Sequence, residues 1–457
     1  MPGLHSRQRL LALAWPLLAE MVLGFAVSLV GLWLASRESD TSSAAFALSN
    51  QWHGVFFLVF RVIGMGVSVV ITQNLGAGNR SGANAVARAA LGASAWLGLL
   101  AAVWVYFGAG QLLAVLQAPS AVGVLGQPYL QMLAGVLLLD AVNASMASVM
   151  RAHMHTRETM FNILFMLCVQ LVLCLPLMRS FGLPGFALAM LISRALGLAV
   201  HLLLWRWRLH IVPSVRDWWS LRWPLLGPVL HIGLPGAAEN IAYRLAMLLS
   251  VTVVASMGAQ SLATQTYAFQ LMNVVVLFSV SLGFASEILI GHMIGAGELR
   301  QAHQVLRKSL LWGLGISLGL ALLVALAAPW MLALFTQDAE IIAGASTLLW
   351  LTVLLEPGRT CNVVIINALR ATGDARFPVA AGAASMLLVM AGGSWLLGVH
   401  FKLGLVGVWL AYSADEWLRG LTMAVRWFGL GWVPAAKATR RRVTSLTGAL
   451  NKEGRRA

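Results

Sequence analysis

Twelve apolar stretches, each long enough to cross a lipid bilayer, account for most of the 457-residue chain. A membrane-spanning helix needs ~20 mostly apolar residues. The stretches lie at 10–35, 45–75, 83–107, 128–152, 159–178, 183–207, 228–256, 263–294, 305–328, 345–371, 377–399 and 404–428. Only 10% of the residues are charged, against ~25% in soluble domains, so a water-soluble protein is excluded. The pattern predicts an all-α membrane protein with twelve transmembrane helices and short loops.

Lysine and arginine are distributed very unevenly between alternate loops. Of the 31 lysines and arginines, 23 lie in or beside segments on the side of the N-terminus, and three (Arg37, Arg179 and Lys402) lie on the opposite side. Cytoplasmic loops of membrane proteins carry an excess of positive charge. Both termini are therefore predicted to be cytoplasmic.

The end of the chain is strongly basic and contributes to the net charge of +15. Basic residues of the tail are Lys437, Arg440, Arg441, Arg442, Lys452, Arg455 and Arg456. A basic cluster beside a membrane helix favours contact with anionic lipid head groups. A disordered, solvated tail is the alternative, and nucleic acid is not expected as a partner.

Three landmarks recur at a fixed distance of 219 residues along the chain. They are Pro16-x3-Glu20 and Pro235-x3-Glu239, Gly76-Ala77-Gly78 and Gly295-Ala296-Gly297, and Arg151-Ala152 and Arg370-Ala371. Each repeat contains six helices, and an even number returns the chain to its starting side. We therefore expect two six-helix lobes related by a pseudo-two-fold axis along the membrane normal, a transporter architecture.

The repeat and the composition also predict domain boundaries. Residues 1–207 would form the amino-terminal lobe, 208–227 a cytoplasmic linker between the lobes, 228–430 the carboxyl-terminal lobe and 431–457 the basic cytoplasmic tail. The linker is placed where the chain is polar, basic and rich in tryptophan.

Charged residues within the predicted spans are the candidates for function, because a charge in the membrane core costs at least ~2.5 kcal/mol. Glu20 and Glu239 each follow a proline by four residues, so each shares a helix face with it. The proline frees a backbone carbonyl one turn earlier, which favours a site that takes up and releases a cation. The candidates for cation coupling or substrate binding are Glu239, Glu287, Glu20, Glu356, Arg359, Asp140 and Arg61.

Structural roles compete with each of these assignments. Glu20 and Glu239 would otherwise lock the lobes through hydrogen bonds between helices. Glu356 lies three residues before Arg359, which favours a salt bridge within one helix. Arg61 would neutralise nearby carboxylates, unless the cargo is not simply cationic. His53 could shuttle protons, but a lone histidine within a membrane helix is more often a packed, hydrogen-bonded residue.

Motifs of other protein classes are missing from the sequence. The Gly-Ala-Gly turns lack the lysine of a phosphate-binding loop, and no zinc signature or nucleophile motif is present. The sequence therefore predicts a protein that is not an enzyme, with no catalytic residues, cofactor or resident metal, although Na⁺ could bind at Glu239. The pair Gly315-x3-Gly319 predicts close helix packing.

Three segments resemble signatures of the multidrug and toxic compound extrusion (MATE) transporters. They are Ile232–Asn240 for the seventh helix, Gly291–Glu298 for the end of the eighth, and Ala368–Asp374 for the loop after the tenth. The similarity extends from about Leu10 to Phe428. It implies a bacterial inner-membrane antiporter that expels organic, often cationic, compounds in exchange for H⁺ or Na⁺ as two six-helix lobes rock.

One departure from the resemblance concerns the amino-terminal lobe. Many bacterial members carry an aspartate late in the first helix, where this chain has Gly31. The fifth helix keeps Asn162 but has Met166 and Gln170 beyond it, so the polar cluster of this lobe is expected to be thinner. The prediction for cation coupling therefore shifts to Glu239 and Glu287.

The most probable function from sequence is a secondary multidrug antiporter that works by alternating access, with small-molecule cargo bound near mid-membrane between the lobes. The set of unpaired acids within the membrane motivates this prediction. The alternative is a flippase for lipid-linked oligosaccharides of the same superfamily, whose cavity should be net basic. An enzyme acting within the membrane is disfavoured, because no nucleophile is matched with a base.

Overall fold

The structure, a computed structural model, describes residues 6–453, with side chains from 10 to 445 apart from Val62. The described chain consists of helices joined by short turns, which confirms the all-α prediction. The long helices are α1 Ser6–Glu38, α2 Asp40–Gly76, α3 Arg80–Val115, α4 Ser120–Ala152, α5 Thr156–Phe181, α6 Leu183–Leu204, α7 Trp223–Ala255, α8 Ala259–Ala296, α9 Leu299–Leu332, α10 Ala339–Thr372, α11 Arg376–His400, α12 Gly404–Phe428 and α13 Val433–Glu453.

Among the described residues, eleven helices, α1 to α11, are long and apolar enough to cross a membrane. The twelfth predicted span coincides with α12, whose sequence includes Asp415, Glu416 and Arg419. All three of these side chains are buried against neighbouring helices, which is how intramembrane charges are normally accommodated. Charge content, and not helix length, therefore separates α12 from the other eleven helices.

Helix α11 departs from regular α-helical geometry. Its α-helical segments, Arg376–Ser385 and Gly392–Trp395, alternate with π-helical turns at Met386–Ala391 and Leu396–His400. A π-turn inserts one extra residue and distorts the regular ladder of hydrogen bonds. The predicted span at 377–399 is thus one helix with two local distortions.

The chain divides into two compact units by its internal contacts. The amino-terminal unit contains residues 16–75 and 79–234, and the carboxyl-terminal unit contains 235–445 together with 76–78 and the first turns of α1 up to Trp15. In the amino-terminal unit, α4 packs against α3 and α6; in the carboxyl-terminal unit, α10 packs against α8, α9 and α12.

Glycines allow α10 and α12 to approach closely. A Cβ atom at Gly420 would lie 2.8 Å from the carbonyl oxygen of Gly358, and one at Gly358 would lie 2.9 Å from the backbone nitrogen of Trp417. The close packing predicted for Gly315-x3-Gly319 is wrong, because a Cβ at either glycine would meet no described atom within 4 Å. A spacing of small residues permits close contact but does not say which face a neighbouring helix covers.

The segment between α6 and α7 is held against α3 within the amino-terminal unit. Ser214 and Asp217 form a reciprocal capping box at the 3₁₀ turn Val215–Trp218. The indole nitrogen of Trp96 on α3 donates to the carbonyl oxygen of Trp219 at 3.0 Å. This connection between the repeats is therefore ordered by specific contacts.

The basic tail forms the amphipathic helix α13 over its described length. Ala436, Thr439 and Val443 are buried on one face, and the Thr439 hydroxyl donates to the carbonyl oxygen of Thr372 at 3.1 Å. The alternative of a disordered tail is therefore wrong for this segment. Arg455 and Arg456 lie outside the described residues.

Candidate functional site

The same ion pair occurs once in each repeat. Arg151, in the last turn of α4, donates to Glu20 of α1 at 2.8 Å. Arg370, in the last turn of α10, donates to Glu239 of α7. The expectation that these two glutamates are unpaired is wrong, because arginines distant in sequence reach them.

A second charged group joins each pair, and its sign differs between the two units. In the amino-terminal unit, Arg61 interacts electrostatically with Glu20 and Arg151. In the carboxyl-terminal unit, Glu287 interacts with Arg370. The first cluster therefore has an excess of one positive charge, and the second an excess of one negative charge when both of its carboxyls are ionised.

Glu287 has an incomplete set of hydrogen bonds. Its side chain is only 3% exposed, and its Oε2 atom has no hydrogen-bond partner among the described residues. A buried carboxylate with an unsatisfied oxygen is unfavourable unless a proton or another cation neutralises it. The counterpart of Glu287 in the first repeat, 219 residues earlier, is the uncharged Ser68.

A cavity of about 510 Å³ lies within the carboxyl-terminal unit. Its lining includes carboxylates, arginines, an aromatic ring and a thioether: Glu239, Glu416, Arg359, Arg419, Tyr243 and Met272. The Glu239 side chain is 13% exposed, so its pairing with Arg370 does not remove it from the cavity. Pockets of this size, apolar with a few convergent polar groups, are typical of small-molecule sites.

A buried charge network forms one wall of this cavity. Arg359 donates to Glu356 at 2.8 Å and to Glu416 at 3.2 Å. Arg419 contacts Glu416 at 3.1 Å and Asp415 at 2.6 Å. The salt bridges within α10 and within α12 that the spacing indicated are present, but Arg359 also joins the two helices. Three carboxyls share two guanidinium groups here.

The amino-terminal unit contains a network that sequence reasoning missed. Asp140 of α4 accepts from Arg194 of α6 at 2.9 Å through Oδ1 and contacts His53 of α2 at 2.9 Å through Oδ2. Gln170 of α5 lies 3.4 Å from an Arg194 nitrogen. The expected thinning of polar groups is therefore wrong, because four helices contribute to this cluster. A count of polar residues on α1 and α5 could not find it.

The position of Gly31 is occupied by aromatic packing. A Cβ atom at Gly31 would lie 2.8 Å from the ring of Phe46 and 2.8 Å from the ring of Phe186. These two rings pack edge to face with their centroids 5.1 Å apart. An acidic side chain at this position would collide with the rings, so the amino-terminal unit places its acid at Asp140 instead.

The sequence candidates thus fall into three clusters. Glu20 and Arg61 lie in the first repeated pair, Glu239 and Glu287 in the second, Glu356 and Arg359 beside the cavity, and Asp140 in the amino-terminal network. Sequence reasoning missed the partners Arg151 and Arg370, although both are landmarks of the repeat. No group of three or more His, Cys, Asp or Glu suited to a metal ion occurs within the described part of the chain.

Comparison with known proteins agrees with the repeat. The MatE family model matches residues 16–175 and again 235–395. The chain is 32% identical to a protein of Bacillus subtilis (strain 168) described as the uncharacterized transporter YisQ, over 94% of this chain and 96% of the relative. It is 22% identical to the probable multidrug resistance protein NorM of Thermotoga maritima, over 96% of each chain.

Solved structures share the fold at low sequence identity. The bent form of the Vibrio cholerae MATE transporter VcmN matches with a TM-score of 0.85 at 19% identity, over 96% of this chain and 98% of that chain. A MATE structure in the bent conformation matches with a TM-score of 0.84 at 19% identity, over 95% and 97% of the two chains.

The duplicated set of membrane helices and these likenesses define a multi-pass membrane transporter, and not an enzyme. The family model matches both repeats, and the chain belongs to the MatE family. Family membership confirms the resemblance, the twelve-helix class and the assignment to transporters.

Proposed function

We propose that the protein is a secondary active antiporter of the cell inner membrane, with both termini in the cytoplasm. It exports organic, often cationic, compounds in exchange for H⁺ or Na⁺ by alternating access. Names of relatives such as the probable multidrug resistance protein of Thermotoga maritima support the class of cargo. The excess of lysine and arginine on one side supports the orientation.

The coupling ion binds at Glu239 and Glu287. The observation that carries this assignment is that the two carboxyls share one guanidinium, that of Arg370, while an oxygen of the buried Glu287 lacks a partner. A proton or a sodium ion there balances the charge. Departure of that cation leaves a net negative cluster beside the cavity, which favours entry of an organic cation.

The cavity of the carboxyl-terminal unit binds the cargo. Its aromatic side chains, Tyr243 and Phe269, offer π-faces to a cation. Met247, Met272 and Met386 supply flexible, polarizable contacts that adapt to different shapes. The volume of about 510 Å³ suits a drug-sized molecule. Such a lining favours selection by charge and hydrophobicity over a single defined shape.

Transport by purified protein in liposomes tests this function. Liposomes are loaded with a fluorescent organic cation, such as ethidium, and a pH gradient or a sodium gradient is imposed separately. We expect efflux with one of these gradients and none with a potassium gradient of the same size. Efflux that is independent of every imposed ion gradient would exclude antiport.

A flippase for lipid-linked oligosaccharides is the second candidate. Arg359 and Arg419, which line the cavity, favour it, because guanidinium groups bind pyrophosphate. The adjacent carboxylates Glu239, Glu356, Glu416 and Asp415 oppose it, since they outnumber the arginines. Translocation of a fluorescent polyprenyl-pyrophosphate lipid in the same liposomes, without efflux of cations, would reverse this ranking.

The tail helix α13 contacts anionic lipid head groups in this proposal. Lys437, Arg440 and Arg441 lie together at a surface depression of about 620 Å³ with Thr444 and Ser445. Each basic residue near an anionic membrane contributes about 1 kcal/mol to its attraction. Replacing these three residues with glutamine should weaken retention of phosphatidylglycerol in detergent-purified protein, whereas retention of phosphatidylcholine should not change.

A further inference from the structure

The His53–Asp140 contact determines how the imidazole of His53 carries its hydrogen. An ionised carboxylate only accepts hydrogen bonds, so Nε2 of His53 must donate to Asp140 Oδ2 across the 2.9 Å between them. In the neutral ring, Nδ1 then holds the free lone pair. No hydrogen-bond partner of Nδ1 occurs among the described residues. The ring therefore has a vacant position for a second proton, and its side chain is 17% exposed.

The charges around His53 leave it as the titratable member of its network. Asp140 of α4 faces the ring, and behind it Arg194 of α6 balances the charge of Asp140. From α5, Arg194 meets the uncharged Gln170, and from α3 the contact with this part of α2 is the ring of Trp104 on Phe56. Tyr129 of α4 bonds to Asn50, one turn before His53. Glu20 of α1 pairs instead with Arg151, and Arg61 belongs to that cluster.

The sequence repeat places His53 at a position that faces a cavity in the other unit. Met272, which is 219 residues after His53, lines the carboxyl-terminal cavity. The same offset relates Asp140 to Arg359 and Asn143 to Asn362, and both of these later residues also line that cavity. By this equivalence, His53 and Asp140 face the inner side of their own unit.

The central ion pair is reversed in sign between the repeats. Asp140 and Arg194 pair at 2.9 Å in the amino-terminal unit, and Arg359 and Glu416 pair at 3.2 Å in the other. Arg194 and Glu416 each lie nine residues after the glycine of a Gly-x-x-Leu-Ala segment, at Gly185 and Gly407. The carboxyl-terminal network retains an excess of carboxylates, whereas the amino-terminal pair is neutral. A proton on His53 therefore changes the amino-terminal network from neutral to positive.

We propose that His53, oriented by Asp140 and Arg194, is a proton-binding site of the amino-terminal unit. Imidazole is the side chain that ordinarily changes charge between pH 5 and 8. The protonated ring forms an ion pair with Asp140 and adds a positive charge to the unit, which opposes a bound organic cation. Proton binding and cargo binding thus compete. This inference rests on the proposed antiport and assigns one of its proton sites.

The first experiment measures protonation without reference to transport. Exchange of the imidazole C2 hydrogen in the purified full-length protein is followed by mass spectrometry from pH 5 to 9. We expect the exchange rate of His53 to follow a sigmoid between pH 5 and 8. His201, which is buried and bonded to Asn143 at 2.8 Å, serves as the internal comparison and should exchange slowly throughout. A flat profile for His53 overturns the proposal.

The second experiment counts the protons that leave when cargo binds. Tetraphenylphosphonium is added to detergent-solubilised protein in weak buffer at neutral pH, and a pH indicator reports the release. His53→Gln keeps a donor to Asp140 but cannot take a second proton, so the release should fall by about one proton per bound cation. His155→Gln is the matched control, since His155 also pairs with a carboxylate, Glu158, at 3.0 Å. An unchanged release in His53→Gln overturns the proposal.

The two experiments separate this proposal from the proposed function. If the wild-type protein neither binds nor exports organic cations under any gradient, antiport of cations fails while the exchange profile still decides whether His53 takes a proton. If cations are exported but His53 shows no titration, the proton site fails and the antiporter stands.

Discussion

Arg370 binds Glu239 across the carboxyl-terminal unit at the same separation in sequence, 131 residues, at which Arg151 binds Glu20 in the amino-terminal unit. In both cases an arginine from the last turn of one helix reaches a glutamate that follows a proline by four residues. The duplication has preserved the pair, but Arg61 accompanies one copy and Glu287 the other. The two pairs therefore serve as controls for each other.

Loss of Arg370 should destabilise the protein more than loss of Arg151. Arg370→Met leaves the carboxyls of Glu239 and Glu287 without their shared guanidinium, and breaking a buried pair costs about 3–5 kcal/mol. Arg151→Met leaves Arg61 beside Glu20 and should cost less. The measurement is the free energy of unfolding in mixed detergent micelles. Equal losses for the two variants would contradict the assigned roles, and adding Glu239→Gln to Arg370→Met should recover part of the loss.

Glu239 should be essential for gradient-driven efflux. Glu239→Gln keeps the size of the side chain but removes the charge that a coupling cation balances, so efflux of ethidium from liposomes should fall to the rate of protein-free liposomes. Glu20→Gln should retain more activity, because its cluster already has an excess of positive charge. Glu340→Gln, an exposed carboxylate bonded to Gln260 at 2.8 Å, is the control. Normal efflux by a folded Glu239→Gln protein would exclude the coupling role.

The contact between α10 and α12 should not tolerate a side chain at Gly420. Gly420→Ala places a Cβ 2.8 Å from a backbone oxygen that cannot move without shifting α10. Overpacking of this kind costs about 1–3 kcal/mol, and separating the helices also lengthens the Arg359–Glu416 contact. Thermal unfolding midpoints measure the loss. Gly319→Ala, with open space beside it in the described structure, should unfold at the wild-type temperature or slightly above.

The linker before α7 should make a pH-dependent contribution to stability. Burial alone would raise the pKa of Asp217, but hydrogen bonds from Ser214 and the nearby Arg88 and Arg222 outweigh it and hold that pKa below its usual range. A lowered folded-state pKa stabilises the protein above the unfolded value of about 3.9, and this stability is lost as pH falls through the folded value. Asp217→Asn should therefore lower the unfolding midpoint at pH 7, and the difference from wild type should shrink below about pH 4. A difference that stays constant with pH would contradict this reasoning.

The sequence by itself determined the class of fold. Hydropathy, the positions of lysine and arginine, and the 219-residue repeat predicted the helices, the duplication and the family. These features are local or periodic along the chain, because each span must satisfy the bilayer independently of its neighbours. The end of α12 agreed with its predicted span at Phe428, even though its charges set it apart from the other helices.

Only the tertiary structure decided which charges meet. Glu239 pairs with an arginine 131 residues away, and His53 with an aspartate 87 residues away. A helix of known length can present any face to any neighbour, so spacing along the chain finds pairs within one helix, such as Glu356 with Arg359, but not pairs between helices. The reversed sign of the central ion pair became visible only when Asp140 and Arg359 could be compared with the partners that packing gives them.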